Sequence, residues 1–334
     1  MTDGALLHLS AVIIDAVCSL LEEPSYIEKY RKGGATIVAP TIGVTAGARE
    51  ATIAIGRWHN LISKSPDLLL IRSVADILNA KAENKVGVLL HFQGADPLEN
   101  SLDLVDTYKS LGVGIIQLSY SSRTCVGQGV EERGNSGLSR FGLRLIDRMN
   151  QVRIVVDCAH TGHTCTLDAI DASRKPVIIS HGNARSVHGH PRNIPDDIIR
   201  AIAATGGTIG TTAYPPFVAS SRPPTLDQFI DHVIHIASIA GHEHVSLAMD
   251  YFIGQSPYAT DQLAMKFWQR MMSEGPFTAE THPPPPHVYP LGVETPDRLP
   301  ALTERMLARG VSANEILDFY GRNLMRVLRQ VWGE

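Results

Sequence analysis

The stretch SLAMDYF (246–252) runs through small and apolar residues to a single carboxylate, Asp250. Two further apolar runs lead to imidazoles: RIVVDC (153–158) is followed by His160, and PVIIS (176–180) runs directly into His181. Two imidazoles and a carboxylate converging on one rim form a donor set for a borderline divalent ion such as Zn2+. Three protein ligands with an open fourth position suffice for a catalytic zinc. Such an ion lowers the pKa of its bound water towards about 7. The residues alone therefore point to a divalent-ion site held by His160, His181 and Asp250.

His91 and Gln93, in LLHFQG, are two residues apart and share a strand face. His91 is a further candidate ligand and Gln93 a candidate substrate contact. Tyr120 ends GIIQLSY (114–120), Arg123 follows it, and Tyr214 ends GTIGTTAY (207–214). A phenol or guanidinium at such a place can polarise a carbonyl or hold a carboxylate. Arg192, in HPRN just before a helix start at IPDD, is a candidate bidentate clamp for a substrate carboxylate. Taken singly, each of these is as readily a hydrogen-bonded rim residue, and their shared position carries the argument. His163, His188 and His190 lie in the same loops without a comparable pattern.

The elements that must bring these residues together are legible as a series. Eight β-rich runs, at 11–15, 35–40, 86–92, 114–120, 153–158, 176–180, 207–214 and 244–250, alternate with amphipathic stretches such as TLDQFIDHVIHIASIAG. Those stretches place apolar residues three and four apart behind Asp, Ser, Thr or Pro start signals. Eight β/α units predict a closed (β/α)8 TIM barrel, whose chemistry sits at the C-terminal strand ends. A Pro-rich segment at 275–300 is read as an irregular rim loop and lid, deletable with more effect on substrate range than on folding. C-terminal helices follow, and residues 1–334 are read as one domain.

Composition narrows the partners. The 334 residues are 44% hydrophobic and 19% charged, with a net charge of −4. That balance offers no basic field for nucleic acid or anionic lipid, so the expected partner is a small molecule. No apolar run approaches the ~20 residues of a membrane span, and the opening residues lack a basic, then apolar, leader pattern. A cytoplasmic protein is expected. Four cysteines without a C-x-x-C pair are read as buried thiols.

Four stretches, GNSGLSRFGLRLIDRMNQVRIVVDCAH, KPVIISHGNARSVHGHPRNIPDDIIRAIAATGGTIG, HVSLAMD and LPALTERMLARGVSANEILDFYGRNLMRVLRQVW, together resemble the membrane (renal) dipeptidase family. These are the M19 metallopeptidases of the amidohydrolase superfamily. The resemblance runs from about the third strand to the C-terminus and implies a barrel, often a homodimer, with a two-zinc centre that hydrolyses dipeptides. It implies that His160 and His181 belong to one zinc, Asp250 to the other and to catalytic proton transfer, and Arg192 to the substrate carboxylate. The departures are specific. Val17 and Ser19, in DAVCS, stand where the family's D-G-H-x-D supplies a His and an Asp; Gln93 stands for the bridging Glu, and Tyr120 for a His. A neutral amide cannot hold two cations together as a carboxylate does. With these losses a single zinc, or none, is expected, and Tyr120 becomes the oxyanion donor. The leading reading is hydrolysis of an amide or other C–N bond in a small carboxylate-bearing molecule. A lyase, decarboxylase or isomerase with one ion or none is the second reading, and an inactive binding protein the third.

Overall fold

The structure is a computed structural model that describes residues 2–275 and 277–333. Its short β-branched runs form ten strands: β1 (Ile14–Cys18), β2 (Ile37–Ile42), β3 (Leu68–Leu70), β4 (Val86–Val88), β5 (Leu90–Phe92), β6 (Val113–Gln117), β7 (Val155–Asp157), β8 (Val177–Ile178), β9 (Ile209–Thr211) and β10 (Val245–Leu247). Every ladder is parallel. Ile14 lies opposite Ile37, Thr41 opposite His91, His91 opposite Ile115, Ile115 opposite Val155, Val156 opposite Val177 and Ile209 opposite Val245. A parallel bridge from Ile179 to Ile209 joins β8 to β9. The amide of Asp250 donates to the carbonyl of Val17 at 3.2 Å and closes the ring between β10 and β1. This is the predicted (β/α)8 barrel, with helices such as Ala48–Lys64, Arg140–Val152, Asp196–Ala204 and Leu226–Ala240 between successive strands.

Three local features differ from expectation. The first strand is Ile14–Cys18, three residues later than read, because the cap of helix Asp3–Ser10 takes up Ala11 and the apolar residues continue through Val17. The run at 86–92 is split into β4 and β5, and β2 bonds to both. An additional edge strand, β3, pairs with β4; its residues are only partly buried, so its pattern carries little signal. No helix among the described residues is long and apolar enough to cross a membrane.

The barrel floor is sealed from below by the terminal helix Asn323–Trp332, whose Leu324, Val327, Leu328, Val331 and Trp332 pack with Ile14, Ile37, Ile115, Val155 and Ile178 in one buried cluster. Burying each such side chain stabilises by roughly 1.5–3 kcal/mol. At Gly114 a Cβ would meet Leu89 at 2.7 Å and Trp332 at 3.0 Å, so the closed floor leaves no room for a side chain there. With that end packed, only the C-terminal strand ends open outward.

The Pro-rich segment is not a removable lid; Pro276 itself lies outside the described residues. Tyr289 is fully buried, its ring centroid is 4.9 Å from that of Tyr251, and its hydroxyl donates to the carbonyl of Asp250. Bridges Ser256–Val288 and Thr225–Leu291 pin the segment on both sides. Deletion would uncover core aromatics and remove the Tyr289 hydrogen bond to the carbonyl of Asp250, so a loss of folding stability is expected beside any change in substrate range.

Barrel closure carries a pH-dependent cost. Asp15 is 0% exposed; its Oδ1 accepts the amide of Met249 at 2.9 Å, while Oδ2 has no partner among the described residues. Burial, opposed by the amides of Met249 and Val17 and reinforced by the nearby Asp250, pushes its carboxyl up to about 7. The folded value lies above the unfolded one near 3.9, so this contribution is full below pH about 4 and is lost as pH rises to about 7. Asp15→Asn mimics the protonated form. It is expected to leave stability near pH 4 within about 1 kcal/mol of wild type and to exceed wild type by about 2–4 kcal/mol at pH 8 in urea unfolding. A difference that does not change with pH would refute this assignment.

Candidate functional site

The strand ends surround a pocket of about 90 Å³ lined by Ser19, Thr41, Gln93, Tyr120, His160, Tyr214 and Asp250, with Phe217, Phe252, Phe267, Met271 and His282 as further walls. Three residues at this mouth hold left-handed backbone: Ser121 at φ 59°, His160 at φ 57° and Asp250 at φ 54°. Non-glycine residues pay for that conformation, and such strain concentrates at functional sites. Here it turns the chain sharply at the ends of β6, β7 and β10.

His160 and His181 face each other, Nε2 to Nε2, at 2.9 Å. Each Nδ1 is tied to a serine: His160 to Ser121 Oγ at 2.8 Å and His181 to Ser180 Oγ at 2.9 Å. One ring donates across the pair and the other accepts. Burial first, and then the positive charge of Arg192, hold both rings well below the ordinary imidazole value, so both are neutral. The Tyr120 ring stacks on His160 at 4.1 Å and 27°. Burial and the charge of Asp250 raise its phenol, so Tyr120 is a hydrogen-bond donor throughout the working pH range.

Ser19 Oγ donates to Asp250 Oδ1 at 2.9 Å and is itself 3.1 Å from Thr41 Oγ1. Burial pushes the Asp250 carboxyl up to about 7 against the Ser19 hydrogen bond and the charge of Arg192. A carboxyl with that value exchanges its proton near neutrality.

Arg192 is 4% exposed and does not line the pocket itself. Its guanidinium lies over the Phe217 ring at 5.4 Å, Nη2 is 3.5 Å from the carbonyl of His181, and Nε is unpartnered. It forms no ion pair among the described residues, yet its charge reaches Asp250, Tyr120, His160 and Glu131.

Other expected residues are placed elsewhere. His91 points into the barrel one layer below Gln93, where Nε2 bonds Asp157 Oδ2 at 3.1 Å, and it does not line the pocket. Its bond to Asp157 sets it apart from Gln93, which does line the pocket. Asp157 in turn accepts the amides of Ala159 and Ser180 at 2.9 and 2.8 Å and so fixes the turns that carry His160 and His181. Arg123 is exposed on the loop after β6, its amide bonded to Glu132, and does not line the pocket. Gln93 and Tyr214 do line the pocket, and Gln93 Nε2 is unpartnered. Of the loop histidines, His163 pairs with Asp197 at 2.8 Å and His190 holds the carbonyl of Thr281 at 3.0 Å. Ser121, Ser180 and His282 were not anticipated, and Ser19 was singled out only as a departure from a ligand position. Ser121 was legible as the neighbour of Tyr120, whereas His282 lies in a segment with no periodic pattern.

The donor set does not fit a resident metal. Among the described residues no three His, Cys, Asp or Glu side chains are placed to hold one ion, which corrects the expected site of His160, His181 and Asp250 with His91. Two imidazoles converge, but His91 is taken by Asp157, Asp250 is not placed to share an ion with them, and Val17 and Ser19 supply no anionic ligand. The buried guanidinium that depresses both imidazoles opposes a divalent cation by the same field.

The sequence profile of the membrane dipeptidase family, peptidase family M19, matches residues 34–265. Dipeptidase verJ of Clonostachys rogersoniana is 28% identical over 279 residues, covering 82% of this chain and 63% of that protein. Dipeptidase 3 of Rattus norvegicus is 28% identical over 289 residues, covering 85% and 52%. The chain spans about half to two thirds of the length of such curated relatives. Among solved structures, an amidohydrolase from Pseudomonas aeruginosa superposes with a TM-score of 0.91 at 32% identity over 100% of both chains. Dipeptidase AC, a metallopeptidase of family M19, superposes with a TM-score of 0.81 over 97% of this chain and 100% of that one; at 19% identity this likeness concerns the fold.

Proposed function

Because the chain belongs to the membrane dipeptidase family, peptidase family M19, we propose that it hydrolyses an amide or other C–N bond in a small carboxylate-bearing molecule. The proposed mechanism uses proton transfer and fixed charge in place of the family's zinc pair. The observation that carries the substrate class is Arg192: a buried guanidinium without an anionic partner among the described residues is costly. A substrate carboxylate that reaches past His160 into the adjoining cavity of about 50 Å³, which Arg192 lines, relieves that cost by pairing with it. In this reading Tyr120 and Gln93 donate to the carbonyl oxygen as it gains charge, and Asp250, as a carboxylic acid, gives its proton to the departing nitrogen. Tyr214 and Phe217 form the wall that excludes water from the bond being cleaved.

A lyase or isomerase reading draws on the same acid and the same cation. It is favoured by the neutral His160–His181 pair with its serine ends, a chain of hydrogen bonds suited to moving protons. Elemental analysis of protein purified without chelator, on wild type and His181→Ala, tests the proposed chemistry together with turnover of a panel of dipeptides and N-acyl amino acids. The expected result is well below one zinc per chain in both proteins, and turnover unaffected by chelator. About one zinc per wild-type chain, lost in the variant, would restore metal catalysis; metal-free protein inactive on the whole panel would favour the lyase or isomerase.

A further inference from the structure

The geometry points to His282 as the base that activates water in this pocket, held by Glu131 through Thr281 with its proton on Nδ1 and its Nε2 lone pair towards the substrate. The inference rests on the hydrolase reading above and names the group that reading lacks, since Asp250 serves the leaving nitrogen.

Thr281 Oγ1 donates to Glu131 Oε2 at 2.6 Å, much shorter than its alternative to the carbonyl of Thr278 at 3.2 Å, and this bond takes its only hydroxyl proton. The same oxygen is 3.0 Å from His282 Nδ1, where it can now only accept. Nδ1 therefore carries the imidazole proton, and Nε2 is bare. Glu131 Oε1, buried and otherwise unbonded among the described residues, lies 3.5 Å from the same Nδ1, ready to take up its charge when the ring is protonated.

Every part of this arrangement is fixed from another element. Trp268 Nε1 donates to the carbonyl of His282 at 2.7 Å, His190 holds the carbonyl of Thr281, and the His282 ring packs on Phe277 with centroids 4.2 Å apart. Glu131 is brought in by its amide, which donates to the carbonyl of Ser121 at 3.0 Å. That approach needs Gly129, where a Cβ would meet the Ser121 carbonyl carbon at 2.1 Å. His282 is 4% exposed, lines the pocket with Asp250 and Tyr120, and makes no hydrogen bond at Nε2 among the described residues. Burial first, and then the charge of Arg192, hold the His282 imidazole well below its ordinary value, so the resting ring is neutral with a free lone pair. A carboxylate that orients an imidazole whose far nitrogen faces the reacting atoms is the logic of an acid–base dyad.

The step balances. The water oxygen bonds to the carbonyl carbon as Nε2 takes one of its protons, and the carbonyl electron pair moves to oxygen. When that oxygen re-forms its double bond, the C–N bond breaks and the nitrogen leaves with the Asp250 proton. The proton on His282 then passes to the Asp250 carboxylate through solvent and restores both groups.

Two measurements decide the inference. In 15N-histidine NMR of the whole chain, wild type should show His282 as the Nδ1–H tautomer near neutral pH, with that preference weakened in Glu131→Gln. On dipeptides that wild type cleaves, His282→Gln should lower kcat by about 100-fold or more with KM within about 3-fold, and the isosteric Glu131→Gln by about 10-fold with a shifted acidic limb of the pH profile. An Nε2–H tautomer, or a His282→Gln protein with wild-type kcat and pH profile, overturns the inference. If wild type cleaves nothing in the panel the hydrolase reading falls, and the tautomer still decides whether Glu131 and Thr281 hold His282 as described.

Discussion

Replacing Asp250 by asparagine is expected to lower kcat/KM by about 1,000-fold, within the range that a positioned acid–base group supplies. The substitution is nearly isosteric and keeps the oxygen that accepts from Ser19, so the loss should fall on kcat while KM changes little. The pH dependence gives a separate check. Burial sets the Asp250 carboxyl at about 7, and an acid acts only while protonated, so wild-type activity should be full below that pH and decline as pH rises through it. The asparagine variant should keep only a small residual rate without that alkaline limb. A rate that rises through pH about 7 in wild type would assign Asp250 as base and reverse the proposed direction of proton transfer.

Arg192→Met should weaken kcat/KM by about 100- to 1,000-fold, as expected when one partner of a buried charge pair is removed. The loss should be far smaller for substrate analogues in which the carboxylate is replaced by a neutral amide. A second effect follows from position. Arg192 lowers the Asp250 carboxyl and depresses both His160 and His181, so its removal should move the alkaline limb of activity to higher pH. Equal losses on carboxylate and amide substrates would show that the guanidinium supports the pocket wall at Phe217 and does not read the substrate's charge. Thermal unfolding of the variant should be unchanged or slightly raised, because the methionine removes an unpaired buried charge while filling its stem volume.

The residues of the site were more legible than their arrangement. Reading the C-terminal ends of the apolar runs placed Asp250, His160, Tyr120, Gln93 and Tyr214 at one mouth, and the structure brings all five to the same pocket. The same rule misplaced His91, because a shared strand face fixes direction but not depth, and one layer down its partner is Asp157. Arg123 was misplaced because distance along a loop does not fix exposure. Arg192 was read as a carboxylate clamp from its place before a helix. Its burial over Phe217, without an ion pair, depends on a ring 25 residues away, and no local pattern reports that contact.

By itself the sequence determined the alternation of strands and helices, and with it the barrel and the rim on which chemistry is possible. Side-chain periodicity and start signals are local, so they survive in the order of residues. The departures Val17, Ser19, Gln93 and Tyr120 are equally explicit in the sequence. Tertiary structure alone decided that His160 and His181 bond each other, that Ser19 supports Asp250, and that the segment after β10 brings His282 to Glu131 across 151 positions of chain. These contacts join segments remote in sequence through left-handed turns and close packing. Each depends on the completed barrel and on the free energy of burying its partners together.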